Sequence, residues 1–326
     1  MPPSSLLAVG TVAFDSIETP FGRAERILGG SATYIALAAR VLGAPVRLSA
    51  VVGRDFPDRH VNALANQGVD LDGLVRDPDG DTFFWAGRYH YDLNNRDTLA
   101  THLNVLATFK PRLPPTYRDS AVVCLGNLDP VIQGEVLDQV DGPEGAGPAL
   151  VVCDTMNYWI SSVPEALAQT LRRVDVLVVN DAEARELSGE PNLVRAARRI
   201  RGMGPKTLVI KKGEHGALLF CGEGDPATVF SAPAFPLEDI HDPTGAGDTF
   251  LGGFAGHLAR RLAVMGPAAL RDPEALKHAV IVGSALASFV VEAFGPDRLW
   301  AVSPADLAAR VAAFRQLSTI PDGLED

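Results

Sequence analysis

The chain has 326 residues, 47% of them hydrophobic, which is enough to bury a large core as one sizeable α/β domain or two small ones. We favour a single domain over residues 1–326. The 29 basic and 40 acidic residues give a formal net charge of −11, which argues against broad binding to nucleic acids or to anionic membranes. No apolar stretch approaches the length of a membrane span, so a cytoplasmic protein without a nucleic-acid or membrane partner is expected.

Six apolar segments alternate with helical patterns and predict an α/β fold with a doubly wound, mostly parallel sheet. In chain order the predicted strands are 6–9, 47–52, 121–125, 149–153, 175–179 and 207–210. Small or polar residues follow each of them, among them Asp154, Asn180 and Lys211. In open α/β sheets ligands bind beyond the carboxyl ends of the strands, so a binding cleft is expected there.

One segment interrupts this alternation. Residues 82–91 and 98–109 have strand character around the polar turn 92–97, which predicts a hairpin. In its second strand Leu99 and Phe109 are predicted to share one face of the hairpin. An edge hairpin without any gating role would show the same pattern.

The most informative segment is Asp242-Pro243-Thr244-Gly245-Ala246-Gly247-Asp248-Thr249. Apolar residues recur at helical spacing from Phe250 onwards, so a helix is predicted to begin near Gly245. The free N–H groups of a first helical turn, beside glycines that have no side chain, suit a phosphoryl group. A carboxylate at that place, Asp248, is best explained as a base that takes a proton from an attacking hydroxyl. An acid that only balances the helix dipole is the alternative.

Four elements of the sequence together resemble a known family, the ribokinase-like sugar kinases, also called PfkB carbohydrate kinases. They are an N-terminal signature at Gly29-Gly30 and 36–43, an N-x-x-E element at Asn180 and Glu183, a G-x-x-G turn at 211–216, and a C-terminal signature at 242–248. The resemblance spans nearly the whole chain. It implies a ribokinase-like, three-layer α/β/α fold with a small β lid, formed by insertions at about 13–23 and 82–109.

The resemblance also implies transfer of the γ-phosphoryl group of ATP to a primary hydroxyl of a sugar or sugar-like acceptor. Asp248 would be the base, Gly245, Ala246 and Gly247 would form the anion hole, and Mg²⁺ would bridge the outer phosphates. A nucleoside kinase of the same family and a non-catalytic protein that binds sugar or nucleotide remain alternatives. A Walker-type kinase is excluded, because the chain contains no Gly-Lys step.

For the acceptor, the resemblance implies contacts from Asp15, Gly29 and Gly30. A carboxylate can accept hydrogen bonds from two neighbouring hydroxyls, although Asp15 could instead cap a turn. Tyr34 stands where many family members have asparagine, and its bulkier aromatic hydroxyl leaves the identity of the acceptor open. Aromatic residues of the hairpin such as Trp85 could stack on a nucleobase, but cross-strand packing is the commoner role.

For the nucleotide, the resemblance implies a set of five residues. They are Asn180, Lys211, Gly213, Gly216 and Thr244. Glu183 would organise Mg²⁺ through water, or would be an ordinary acid at a helix start. Lys211 stands where the family often has threonine, and its charge would reach a phosphate or pair with Glu214. Asp242 and Gly295 correspond to the loop that binds a monovalent cation such as K⁺ in some relatives.

The predicted lid would close over the substrate and exclude water, which otherwise competes with the acceptor for the γ-phosphate. In the family this lid often pairs with a second subunit. The partners expected from the resemblance are therefore a small sugar or nucleoside and a second copy of the chain, joined through the lid.

Overall fold

The computed structural model describes residues 5–222 and 227–317, which form thirteen strands and eleven α-helices. The strands are β1 Leu6–Val9, β2 Ala13–Thr19, β3 Gly22–Gly29, β4 Val46–Gly53, β5 Val69–Asp77, β6 Phe84–Tyr89, β7 Arg96–His102, β8 Val122–Leu125, β9 Leu150–Asp154, β10 Val176–Asn180, β11 Thr207–Lys211, β12 Ala217–Cys221 and β13 Thr228–Ala232. The helices are α1 Ser31–Val41, α2 Asp58–Asn66, α3 Pro130–Leu137, α4 Asn157–Ser162, α5 Pro164–Leu171, α6 Asp181–Ser188, α7 Leu193–Arg201, α8 Ala246–Met265, α9 Pro273–Val290, α10 Asp297–Ala301 and α11 Pro304–Leu317. None of the helices in these ranges combines the length and the apolarity needed to cross a bilayer.

Nine strands form the central sheet in the order β13-β12-β11-β10-β9-β8-β1-β4-β5. Neighbours from β11 to β5 are parallel, whereas β12 and β13 run antiparallel at one edge. All six strands predicted from the sequence are present, with bounds that differ by at most one residue. The chain builds outward from β1 in both directions, as a doubly wound sheet requires, so the carboxyl ends of its parallel strands lie along one edge.

Both faces of the central sheet are buried, because side chains of a strand alternate between its faces. Leu6 and Ala8 of β1 belong to the core that contains helices α1 and α8, whereas Leu7 and Val9 belong to the core on the other face. This alternation gives the three layers of the α/β/α arrangement.

A separate four-stranded sheet has the order β3-β2-β6-β7 and contains strands from both segments expected to form a lid. Its extent differs from the prediction. The strand β3 runs on to Gly29, and β7 ends at His102 rather than continuing to residue 109. Asn104 adopts a positive φ of 49°, and Asn104–Thr108 forms a 3-10 helix. Leu99 is therefore 52% exposed while Phe109 is buried, and the shared face predicted for them is wrong.

Two helices bring their N-termini to the same edge of the central sheet. Helix α8 packs closely along α1, since a Cβ at Gly252 would overlap the backbone of Ile35 and one at Gly256 would lie 2.8 Å from the Cα of Ala39. Glycine at these positions lets the two helix backbones approach. The starts of α1 and α8 then lie together beside the strand ends.

Candidate active site

Helix α8 begins at Ala246, as predicted, and its first turn is held by a buried aspartate. The side chain of Asp242 accepts hydrogen bonds from the N–H groups of Thr244 (2.8 Å) and Gly295 (3.1 Å). The N–H of Ala246 donates to the carbonyl of Pro243 at 3.2 Å. Within the described ranges, the N–H groups of Gly245 and Gly247 have no acceptor. Two of the three amides expected to form an anion hole are therefore free to donate.

Asp248 lies in the same first turn and is partly exposed. Burial and the nearby carboxylate of Asp154 raise its pKa to about 7, while Lys211 and Arg96 oppose the rise. A carboxyl group with a pKa near neutrality is suited to accept a proton and to release it again. The role of Asp248 as the base stays a prediction, and its raised pKa is compatible with that role.

Asp15 faces the same site from β2 and is only 5% exposed. A Cβ at Gly29 would overlap its carboxylate, and Gly30 has a φ of 92° with no room for a side chain against Thr11. Burial first, and then the charges of Asp242 and Asp248, raise the pKa of Asp15 to about 7. Asp15 lies within a strand rather than at a turn, and its carboxylate interacts with the backbone N–H of Gly30. The three residues predicted to bind the phosphoryl acceptor therefore come together.

Tyr34 belongs to the first turn of α1 and is 1% exposed. A Cβ at Gly245 would overlap the end of its ring, so the ring lies against the start of the α8 loop. Its hydroxyl has no hydrogen-bond partner among residues 5–222 and 227–317. Burial, Asp15, Asp242 and Asp248 raise the pKa of Tyr34 well above its usual value. The hydroxyl is therefore a protonated donor without an acceptor, beside the predicted base and acceptor site.

On the nucleotide side, Asn180 and Glu183 form a capping box at the start of α6. The N–H of Asn180 donates to Glu183 Oε2 at 2.7 Å, and the N–H of Glu183 donates to Asn180 Oδ1 at 2.8 Å. These bonds give both residues a structural role. Burial, followed by the charge of Asp154, raises the pKa of Glu183 to about 7. Its second oxygen makes no hydrogen bond within the described ranges and could organise Mg²⁺ through water.

Lys211 pairs with Asp154 at 3.1 Å and not with Glu214, which was the alternative. Glu214 instead lies near Asn94, at the turn between β6 and β7. The predicted turn at Gly213 and Gly216 is present, and the N–H of Lys212 donates to the carbonyl of Gly216 at 2.7 Å. The hairpin of the small sheet thus touches the predicted nucleotide side of the site.

Two residues of the site, Asp154 and Arg96, were not anticipated as functional, and a third, Tyr89, was expected only as one of the hairpin aromatic residues that could stack on a nucleobase. Asp154 stands at the end of β9, where the sequence showed only a polar residue after a strand. Arg96 begins β7, stacks over Trp85 with 5.7 Å to the ring centroid, and opposes the rise of the Asp248 pKa caused by burial and Asp154. Tyr89 accepts a hydrogen bond of 3.1 Å from Thr244 Oγ1. No local pattern marks Arg96 or predicts the contact between Tyr89 and Thr244, because both residues enter the site only through the placement of the small sheet.

The next question is what the structure shows at the predicted Mg²⁺ site and at the predicted K⁺ site. Among the described residues, no group of three or more His, Cys, Asp or Glu side chains is arranged to hold a metal ion. The role expected for Glu183, to organise Mg²⁺ through water, stays a prediction. Both oxygens of Asp242 accept backbone N–H groups, so Asp242 holds the loop together, and its role in K⁺ binding stays a prediction.

The model of the pfkB family of carbohydrate kinases matches residues 8–301, so the chain belongs to this family of small-molecule kinases. The cytidine kinase of Thermococcus kodakarensis is 30% identical over 259 residues, which cover 78% of this chain and 88% of that enzyme.

Two solved structures show the same fold. The nucleoside kinase of Burkholderia thailandensis in complex with inosine has a TM-score of 0.72 at 21% identity, covering 99% of this chain and 100% of that one. The aminoimidazole riboside kinase of Salmonella enterica, complexed with aminoimidazole riboside and an ATP analog, has a TM-score of 0.72 at 22% identity. The match covers 94% of this chain and 99% of that one. The predicted ribokinase-like fold is thereby confirmed.

Proposed function

We propose that the protein is an ATP-dependent kinase that phosphorylates the primary hydroxyl of a nucleoside. The observation that carries the proposal is the first turn of α8, where Asp248 has a raised pKa and lies one residue from the free N–H of Gly247. Acceptors of the nucleoside class are favoured over simple sugars because the relatives that cover most of the chain include a cytidine kinase.

In the proposed reaction, the acceptor oxygen forms a bond to the γ-phosphorus of ATP while the bond to the β-phosphate oxygen breaks and ADP leaves. Asp248 takes the hydroxyl proton as this bond forms. The free N–H groups of Gly245 and Gly247 donate to the transferring phosphoryl group, on which negative charge is concentrated. Bound Mg²⁺ would neutralise part of the phosphate charge.

The acceptor would lie between Asp15 and Asp248. The Asp15 carboxylate can accept hydrogen bonds from two adjacent hydroxyls, which suits the two secondary hydroxyls of a ribose ring. The small sheet is placed to act as a lid over this site. Its residue Tyr89 contacts Thr244, and its residue Arg96 lies close enough to lower the pKa of Asp248. Exclusion of water by such a lid favours transfer to the acceptor over hydrolysis.

The decisive experiment is a coupled ADP-release assay with Mg-ATP and a panel of nucleosides, pentoses and hexoses, followed by mass analysis of the product. We expect turnover with nucleosides and a loss of about 10²- to 10⁴-fold in Asp248→Asn, the usual effect of removing a positioned base. Glu274→Gln is the matched control, since Glu274 is an exposed acid in the first turn of α9.

The alternatives give different results in this assay. Turnover with free sugars alone would point to a sugar kinase, and nucleotide binding without turnover of any acceptor would point to a non-catalytic binding protein. Full activity of the Asp248→Asn variant would contradict the proposed mechanism.

A further inference from the structure

The ion pair between Lys211 and Asp154 spans the end of a strand. Lys211 is the last residue of β11 and Asp154 the last of β9, and β10 lies between these two strands. The Nζ atom of Lys211 lies 3.1 Å from Asp154 Oδ2, and the two side chains are 18% and 8% exposed. The second oxygen of Asp154 accepts the N–H of Thr155 at 2.7 Å. Both oxygens of this carboxylate are therefore occupied, and the lysine is held at a defined place.

That place is the tip of helix α8. A Cβ at Gly247 would lie 2.8 Å from the Nζ atom of Lys211, so the absence of a side chain there lets the ammonium lie against the helix start. An ammonium group has three N–H donors, and among the described residues Nζ uses one of them, on Asp154. Two donors remain beside the free N–H of Gly247. An anion with several oxygens, such as a phosphate, matches this set of donors.

The charges around Lys211 keep it ionised. Burial alone would lower its pKa, but Asp154, Glu183 and Asp248 outweigh burial and raise it. The side chain of Lys211 is therefore a permanent cation at this end of the site.

We infer that Lys211, positioned by Asp154, is a metal-independent anchor for the outer phosphates of the nucleotide, so that the chain supplies one cation of the phosphate site from its own side chains. The inference rests on the proposed function. It assigns to Asp154 the role of a positioning residue, which holds the ammonium at Gly247 before the nucleotide arrives.

The test is calorimetric titration of a non-hydrolysable ATP analogue, with Mg²⁺ and with EDTA in place of Mg²⁺. In EDTA we expect Lys211→Thr to weaken binding by about 10- to 100-fold, as expected for loss of a charge-assisted hydrogen bond. The loss should be smaller with Mg²⁺, because the metal then shares the phosphate charge. Lys211→Arg should stay within a few-fold of the wild type. Lys206→Thr, at the exposed opposite end of β11, is the control and should change nothing.

Two further variants separate anchoring from folding. Lys211→Thr alone leaves a buried carboxylate unpaired, whereas the double variant with Asp154→Asn removes both charges and should remain folded while still losing affinity in EDTA. If Asp154 acts by positioning Lys211, the effect of Asp154→Asn on affinity should disappear in the Lys211→Thr background. Equal effects of Asp154→Asn in both backgrounds would overturn the positioning role.

Unchanged affinity of Lys211→Thr in EDTA would overturn the anchor while leaving the proposed kinase function intact. Failure of the wild-type protein to bind the analogue even with Mg²⁺ would instead contradict the proposed function, and this inference with it.

Discussion

The ring of Tyr34 lies directly against Gly245, so that a Cβ at Gly245 would overlap the hydroxyl-bearing end of the ring. This contact joins the first turn of α1, on the acceptor side, to the loop that starts α8, on the phosphate side. The two halves of the candidate site are therefore fitted to one another through a single aromatic ring. A substitution at Tyr34 or at Gly245 should therefore change the geometry on both sides of this contact.

Gly245→Ala should abolish most activity and lower the free energy of unfolding by about 1–3 kcal/mol, because the new Cβ meets Tyr34 at a backbone φ of 77°. Gly189→Ala is the control, since Gly189 is also in the left-handed region, at φ 68° and ψ 19° against φ 77° and ψ −2° at Gly245, and its added Cβ would meet only the end of the Arg199 side chain, 4.0 Å away. Denaturant unfolding of both variants separates backbone strain from the overlap. Equal destabilisation of the two would show that the contact with Tyr34 is unimportant.

Tyr34→Phe should leave the ligand-free protein at least as stable as the wild type, because the hydroxyl that it removes is buried without a partner. The KM for the nucleoside should rise by about tenfold if that hydroxyl donates to the acceptor. Steady-state kinetics and denaturant unfolding check the two parts. A clear loss of stability with unchanged KM would mean that the hydroxyl serves the fold.

The value of kcat/KM should rise with pH through the region near 7 and level off at about pH 8, because Asp248 has a pKa of about 7 and must be ionised to accept a proton. Asp15 has a similar pKa, so the rise should be steeper than for one group. A profile between pH 5.5 and 8.5 tests this. A flat profile over that range would contradict a carboxylate base with a raised pKa.

Asp15→Asn should make the protein more stable and less active. The pKa of Asp15 is raised from 3.8 to about 7 in the folded state, so its ionisation destabilises the fold as the pH rises through that range. At pH 8 the variant should gain on the order of 2–4 kcal/mol in unfolding free energy, and at pH 4 almost nothing. Glu18→Gln, an exposed acid on the same strand, should show no such pH-dependent gain. A stability gain that is independent of pH would show that it does not come from removing the ionisable carboxylate of Asp15.

Arg96→Met should lower kcat by about 10- to 100-fold, because it removes a cation from beside the predicted phosphate site. It should also shift the acidic limb of the pH profile to higher pH, because Arg96 lowers the Asp248 pKa, which burial and Asp154 raise. Arg88→Met is the control, since Arg88 is an exposed arginine of the same sheet that pairs with Glu18. A fall in kcat without any shift of the pH profile would place Arg96 away from Asp248.

The features that the sequence predicted well are local. A strand needs a short apolar run, and all six predicted strands are present. The start of α8 and the capping box of Asn180 and Glu183 depend on spacings of a few residues, so the chain alone determines them. The prediction for residues 103–109 failed because the alternation of apolar residues does not report where the backbone turns. Asn104 takes a positive φ of 49°, and Asn104–Thr108 forms a 3-10 helix instead of extending β7.

The tertiary structure alone decided which charges meet. Lys211 and Asp154 are 57 residues apart and pair because β9 and β11 flank the same strand, which no local spacing reveals. Arg96 and Tyr89 reach the site because the small sheet lies over the strand ends. Electrostatic interactions depend on distance in space rather than along the chain, so the sequence predicted the start of α8 and a candidate base, while the fold determined which charges lie beside them and in which direction their pKa values shift.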